Sequence, residues 1–451
     1  MTTLDFAIRA KAQARTLAIY RYGQASQITK LPIVTMITPL ILMQDFGVTC
    51  IGWNRLVFMA GKLVSFAIVP NYFQQGNFRR NVIVGAWGRT LPWLLLLIPT
   101  ETYGLHAFLT ASFLDGFFCS LDILCQVDNS GLDYMAKDFG VEISPDQRVK
   151  ELSFYSMYIA GSFLVITVGL STLMKCAPEL TTSFNYKVGL IVLCILSSII
   201  STLLYMRMGK VQARTRIGSL EPTQKETDIR WWDTLVLVLR TPTIIWRQVM
   251  NILEVGWMEV IIFIYLPFLN TKWMASTKEA VGINTTIFQT LLSLGTMFCG
   301  SLIKRRWSAY KDKHASLWVP YLRIFYATSL SYTIWLLCLL TPSFPYLPFI
   351  CHALFGLLRI PGCVCFNAVL QEAIKHTPSP AHVFSVINGL KLAGITLFMF
   401  PVQSIRVYVD ELTFTYLLSG LGIVLAVWNA THLPSLMLPD LHAHKDVKSR
   451  R

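Results

Sequence analysis

Long apolar runs broken by short polar ones set the pattern of this chain from end to end. A helix needs about 20 apolar residues to cross a bilayer. On that spacing the pattern predicts twelve membrane spans. They fall near 17–43, 50–70, 81–100, 104–127, 151–174, 186–208, 242–269, 281–303, 317–341, 346–373, 383–407 and 412–433. The first contains the polar run YRYGQASQITK and counts as a span only if that face meets protein or water. It also holds Pro32 and Pro39, which can kink a membrane helix where neighbours re-satisfy the backbone.

The loops divide by charge. FGVTC, TETYG and TPSFP, which close the gaps between spans 1 and 2, 3 and 4, and 9 and 10, are short and poor in cations. The other side collects Arg9, Lys11 and Arg15, then Arg79 and Arg80, then Lys137, Arg148 and Lys150. Arg207, Lys210, Arg214, Arg216, Lys225 and Arg230 fill the longest loop, and Lys304, Arg305, Arg306, Lys311, Lys313, Lys375 and HAHKDVKSRR follow. The positive-inside tendency puts both termini and the long loop in the cytoplasm, of a bacterial inner membrane or a eukaryotic plasma or organelle membrane. The expected organisation is a cytoplasmic segment 1–16, a six-helix bundle 17–208, a basic linker 209–241, a second six-helix bundle 242–434 and a basic tail 435–451.

The two halves echo each other. Ser144-Pro145 precedes a span containing Ala160-Gly161, and Ser379-Pro380 one containing Ala393-Gly394. NFRR closes span 2 and IKRRW closes span 8. The shared offset of about 225–235 residues predicts a duplicated six-helix unit, as in transporters built from repeats. The fold class expected is all-α, an integral membrane protein of two six-helix pseudo-repeats.

With this layout, the turn PNYFQQGNFRR and the entry SPDQRVKELSFYSMYIAG, the chain resembles the major facilitator superfamily of secondary transporters. Family members carry a Gly-x-x-x-Asp-x-x-Gly-Arg-Arg type turn and an acidic-Arg-Gly type entry. Here Gly76, Arg79 and Arg80 stand without the aspartate or the second glycine, and Asp146 and Arg148 without a following glycine. The resemblance implies gating roles for those four charged residues, and a central cavity lined by spans 1, 4, 7 and 10.

Composition supports bilayer as the solvent. The chain of 451 residues is 54% hydrophobic and 14% charged, against roughly 25% charged in soluble domains. Its net charge of +14 is therefore read as loop asymmetry rather than as a nucleic-acid surface. Most of the ten cysteines sit in apolar runs as packing residues, and Cys363-Val364-Cys365 lacks a second ligand pair for a metal. No cofactor, no metal and no cleaved leader are expected, and the chain is read as a monomer with membrane lipid around it.

Charges inside the spans are the candidate chemistry. Asp115, Cys119, Asp122, Gln126 and Asn129 form one polar stripe down span 4. An ionised carboxylate facing hydrocarbon costs at least ~2–3 kcal/mol, so such groups should face water or a cation. His352 and Arg359 in span 10 are spaced like Asp115 and Asp122, at matching depth from the Ser-Pro landmarks. Span 7 adds Arg247, Asn251 and Glu254, with Glu259 on another face; span 1 adds Gln24 and Gln27, and span 11 Lys391. Asp122 with Arg359, or Glu254 with Arg247, could equally be fixed ion pairs holding helices together. Arg55 near one end of span 2 is expected to snorkel, Arg406 to anchor at the interface, and Tyr20 with Tyr22 to form either an aromatic belt or a ligand platform.

The expected function is secondary active transport of a small polar, anionic solute. Arg247, Asn251, His352, Arg359, Lys391, Gln24 and Gln27 would bind it; Asp115, Asp122 and Glu254 would take up H+ or Na+. A non-transporting scaffold on a transporter fold and a lipid flippase are the alternatives. No Walker, His-Glu-x-x-His or Gly-x-Ser-x-Gly motif points to an enzyme.

Overall fold

The computed structural model describes residues 3–74, 78–123, 138–141, 145–209, 231–240, 380–406 and 412–425, with 259–265 and scattered short runs and single positions besides. These residues are helical or in turns, without a strand among them. Among the described residues, four helical stretches are long and apolar enough to cross a membrane: Ala10–Asp45, Met157–Cys176, Ser183–Met206 and Val386–Ile405. Most of the expected spans 7 to 10 lies outside the described residues.

The first span is two helices, α1 (Thr3–Ile28) and α2 (Lys30–Asp45), running on through a one-residue turn at Thr29. Pro32 has no N–H to give the Ile28 carbonyl, so one rung is missing there. The rungs beside it persist, from the Thr29 amide to Ala25 and from the Ile33 amide to Thr29, at 3.2 and 3.3 Å. The missing bond loosens the helix without ending it. Of the tyrosine pair on α1, Tyr20 is buried against Phe78 with ring centroids 5.8 Å apart, while Tyr22 is exposed. The two do not act together as a belt or platform.

After α3 (Thr49–Gln74) the chain departs from the sequence reading. The expected continuous span 81–100 is broken into α4 (Phe78–Gly88) and a 3-10 helix (Leu91–Leu97), joined by Arg89 and Thr90. Pro92 removes the donor that Gly88 would need and stands near the start of the 3-10 helix, where its missing N–H is tolerated. Then come α5 (Thr100–Ile123), α6 (Pro145–Cys176) and α7 (Ser183–Met206). In the C-terminal half of the sequence the described elements are α8 (Trp231–Arg240), a π turn (Ile261–Tyr265), α9 (Pro380–Ile405) and α10 (Leu412–Leu425).

Two seams hold the N-terminal helices. Along the first, α3 and α5 approach until backbone meets backbone. A Cβ at Gly61 would overlap the Phe113 carbonyl, and one at Gly116 the Phe58 carbonyl. Lipid offers no hydrophobic drive for helix association, so packing this close is how membrane helices cohere. Along the second, α7 presents Ser197, Ser198, Ser201 and Thr202 to α1, α2 and α4. Ser26 donates to the Ser197 carbonyl at 2.9 Å, Gln27 to Ser201 at 2.9 Å and Trp87 to Thr202 at 3.1 Å. The opposite face of α7, with Val192, Leu196, Ile199, Ile200 and Leu203, is exposed, as a lipid-facing surface is.

The sequence halves meet where α3 begins and α9 ends. Gln403 donates to the Thr49 carbonyl at 3.2 Å and packs on Gly52, where any side chain would collide with it. Trp53 meets Phe400 edge-on at 5.9 Å. Arg406, expected as a surface anchor, reaches back to the Ile264 carbonyl at 3.4 Å.

Candidate functional site

Just inside that meeting point lies a cavity lined by α2 (Thr35, Thr38, Pro39), α3 (Asn54, Arg55, Phe58), Arg89, α5 (Ser112, Asp115) and Phe263 of the π turn. Each element delivers its residues for a local reason. Pro39 cannot donate to the Thr35 carbonyl, which leaves polar backbone beside the cavity. The Gly88–Pro92 break places Arg89 where a helix would have continued. The glycine crossing of α3 and α5 brings Ser112 close enough to donate to the Asn54 side chain. About 30 Å³ is open to the centres of water-sized molecules, above the ~10–15 Å³ that one water needs. In this conformation the cavity has room for water and none for an organic solute.

Two guanidinium–carboxylate pairs govern its electrostatics. Arg89 Nε donates to Asp115 Oδ1 at 2.8 Å, and these side chains are 2% and 1% exposed. Asp115, expected to face water or a cation, is held by the cation Arg89 and lines the cavity, and Cys119 one turn on is buried on the same face of α5. The second pair joins the sequence halves. Arg55 grips Glu259 with two bonds of 2.8 Å, from Nε to Oε2 and from Nη2 to Oε1. Its guanidinium lies 5.0 Å from the ring centre of Phe58 and 4.2 Å from that of Phe263. The expectation that Arg55 snorkels is thereby overturned: a carboxylate and two rings hold it inward. The π turn directly after Glu259 shifts the register of its helix, and Phe263 within that turn covers the guanidinium.

Of the other expected site residues, Gln24 and Gln27 are fully buried on α1. Gln27 is bound to Ser201, and the Gln24 amide has no hydrogen-bond partner among the described residues. Lys391 is half-buried on α9. None of these three lines the cavity. Arg79 donates to the Met208 carbonyl and lies over the Phe139 ring at 5.7 Å, tying α4 to the end of α7; Arg80 is exposed. Asp122 falls on α5, and Asp146 and Arg148 on the first turns of α6; only their backbone is described. Arg247, Asn251, Glu254, His352 and Arg359 lie outside the described residues, and with them the expected pairings of Asp122 with Arg359 and Glu254 with Arg247.

Sequence reasoning missed two cations. Arg89 was signalled by a glycine and a proline bracketing a charge inside an apolar run. Lys30 is fully buried, its ammonium donating to the Ala86 carbonyl and to Ser198, both at 2.6 Å. Ser198 in turn shares a 2.7 Å bond with Thr90, the neighbour of Arg89.

No protein-family model matches the chain, and no curated protein matches its sequence. Solved structures do match. A single-substitution variant of the E. coli fucose:proton symporter FucP aligns with a TM-score of 0.60 at 13% identity, covering 92% of this chain and 97% of its own. The nucleoside transporter NupG aligns as a point mutant at 0.58 and without that substitution at 0.57, each at 12% identity over 92% of this chain and 98% of its own. At such identities the likeness is one of fold: this chain shares the fold of these two transporters.

Proposed function

We propose that this protein is a secondary active transporter of twelve spans, working by alternating access of two six-helix halves around a site at membrane depth. The observation that carries the reading is the cavity with Arg89–Asp115 and Arg55–Glu259 at the meeting of the sequence halves. Buried charges are costly and mark function by default in membrane proteins. The fold is shared with a fucose:proton symporter and a nucleoside transporter.

Asp115 is the proposed coupling group, taking up H+ or Na+. Neutralising it frees Arg89 to find another acceptor, so proton or ion binding changes how the cavity receives a polar solute. Arg247, His352, Arg359 and Lys391, all basic or potentially so, favour an anionic solute. A neutral polyhydroxyl solute is the second reading, because both arginines of the cavity already hold carboxylates.

The test is uptake into proteoliposomes under an imposed pH or Na+ gradient, with anionic and neutral polar solutes in parallel. Gradient-driven accumulation that Asp115→Asn uncouples is the expected result. Absence of gradient-driven flux for every solute, with stability unaffected by any of them, returns the protein to a scaffold role. Movement of labelled phospholipid instead of solute makes it a flippase.

A further inference from the structure

We propose that Glu259 occupies, from within the chain, a carboxylate-binding site on Arg55 that the transported solute takes over when the halves part. This rests on the transporter reading and names its solute class: a small molecule bearing a carboxylate.

Three features point there. First, two parallel N–H···O bonds of 2.8 Å are the way a guanidinium holds any planar carboxylate, free or side-chain. Second, the site is built largely without Glu259. Phe58 stands one turn from Arg55 on the same helix and keeps its ring beside the guanidinium whatever the other half does. Lys62, a turn further on, lies over the same ring at 5.2 Å, so α3 keeps a positive surface there. Asn54, Ser112 and Thr38 line the same cavity; Ser112 donates to Asn54 and Thr38 to the Val34 carbonyl, so their hydroxyl oxygens remain as acceptors for the rest of a solute. Third, the pair is separable. Glu259 comes from 204 residues away, and the two side chains are 16% and 17% exposed, against 2% and 1% for Arg89 and Asp115. The outer pair is less enclosed, so parting it costs less than parting the inner one. Asp115 cannot take the place of Glu259 on Arg55 while Arg89 holds it. A solute carboxylate can, restoring the same two bonds.

The experiment uses purified full-length protein with formate and acetate as probes, and with formamide, acetamide and chloride as controls at matched ionic strength. In Glu259→Ala, the carboxylates are expected to raise the unfolding temperature saturably, and the amides and chloride are not. Adding Arg55→Ala abolishes the rise. Glu259→Gln keeps the side-chain shape should the alanine variant fold poorly; its half-saturating acetate concentration is expected to be about tenfold below that of the unsubstituted protein. Acetate acting no better than acetamide or chloride in both variants overturns the proposal. So does gradient-driven uptake of neutral solutes alone with Arg55→Ala indifferent, an outcome that leaves the transporter reading intact.

Discussion

Arg89–Asp115 and Arg55–Glu259 share one cavity and one chemistry, yet they solve different problems. The first lies within the N-terminal half, sealed from solvent, between α5 and the break after α4. The second spans the halves, is partly exposed, and is flanked by aromatic faces. A sealed pair is expensive to break because each charge is left unsolvated. A less enclosed pair at a seam loses less on parting. The intramembrane charges here thus divide into a pair enclosed within one half and a pair, less enclosed, that joins the halves.

The sharpest way to break that division is to remove one charge from each pair. Asp115→Leu is expected to cost about 3–5 kcal/mol, since it strands Arg89, and Arg89→Met in the same chain to return most of it. Glu259→Gln is expected to cost less, about 1–2 kcal/mol, because Arg55 is less enclosed than Arg89. Denaturation in detergent measures all of these; equal losses at the two pairs would erase the distinction.

Next in size is the glycine crossing that sets both sites. Gly61→Val and Gly116→Val each drive a side chain into a backbone carbonyl and are expected to cost about 1–3 kcal/mol. Arg55 rides on α3 and Asp115 on α5, so either variant also slows gradient-driven uptake. Unchanged uptake would show that the pairs tolerate a different helix spacing.

A third ion pair serves as control. Lys187 Nζ lies 2.7 Å from Asp45 at the loop end of α2 and α7, where Ser183 also donates to Asp45 at 2.8 Å. It neither lines the cavity nor joins the halves. Lys187→Ala is expected to lower stability by about 1–2 kcal/mol, as at the similarly enclosed Arg55–Glu259 pair, and to leave solute binding unaltered in a thermal-shift assay.

The smallest effect belongs to a carboxylate with hydrogen bonds rather than a cation. Asp410 precedes α10 and accepts from the Thr413 hydroxyl at 2.6 Å and its amide at 2.9 Å, an N-cap that holds its carboxyl below the ordinary range. A folded value below the unfolded one of about 3.9 means the cap contributes fully above that pH and fades as pH falls through the lowered value. Unfolding midpoints of Asp410→Asn and the unsubstituted protein should therefore converge as pH falls below about 4. A constant gap would mean that the charge is irrelevant to the cap.

How far these features were legible follows from what fixes each. The helices α6, α7 and α9 fall within a few residues of the expected spans because hydrocarbon thickness and apolar run length set them. Span 3 was misread because an apolar run says nothing of the missing N–H at Pro92. Asp115 was recognisable as a stranded charge. Its partner Arg89 was not, since it stands 26 positions earlier on another element. Arg55 was misjudged for the same reason, with Glu259 far along the chain.

Sequence by itself determined the solvent, the lengths of the apolar helices and the presence of charges that lipid cannot tolerate, because these depend on composition and local periodicity. Tertiary structure decided which cation meets which carboxylate, and how far that pair is enclosed. Those outcomes turn on helix crossings such as Gly61 against Phe113 and Gly116 against Phe58, where a few ångströms of backbone approach settle both distance and enclosure.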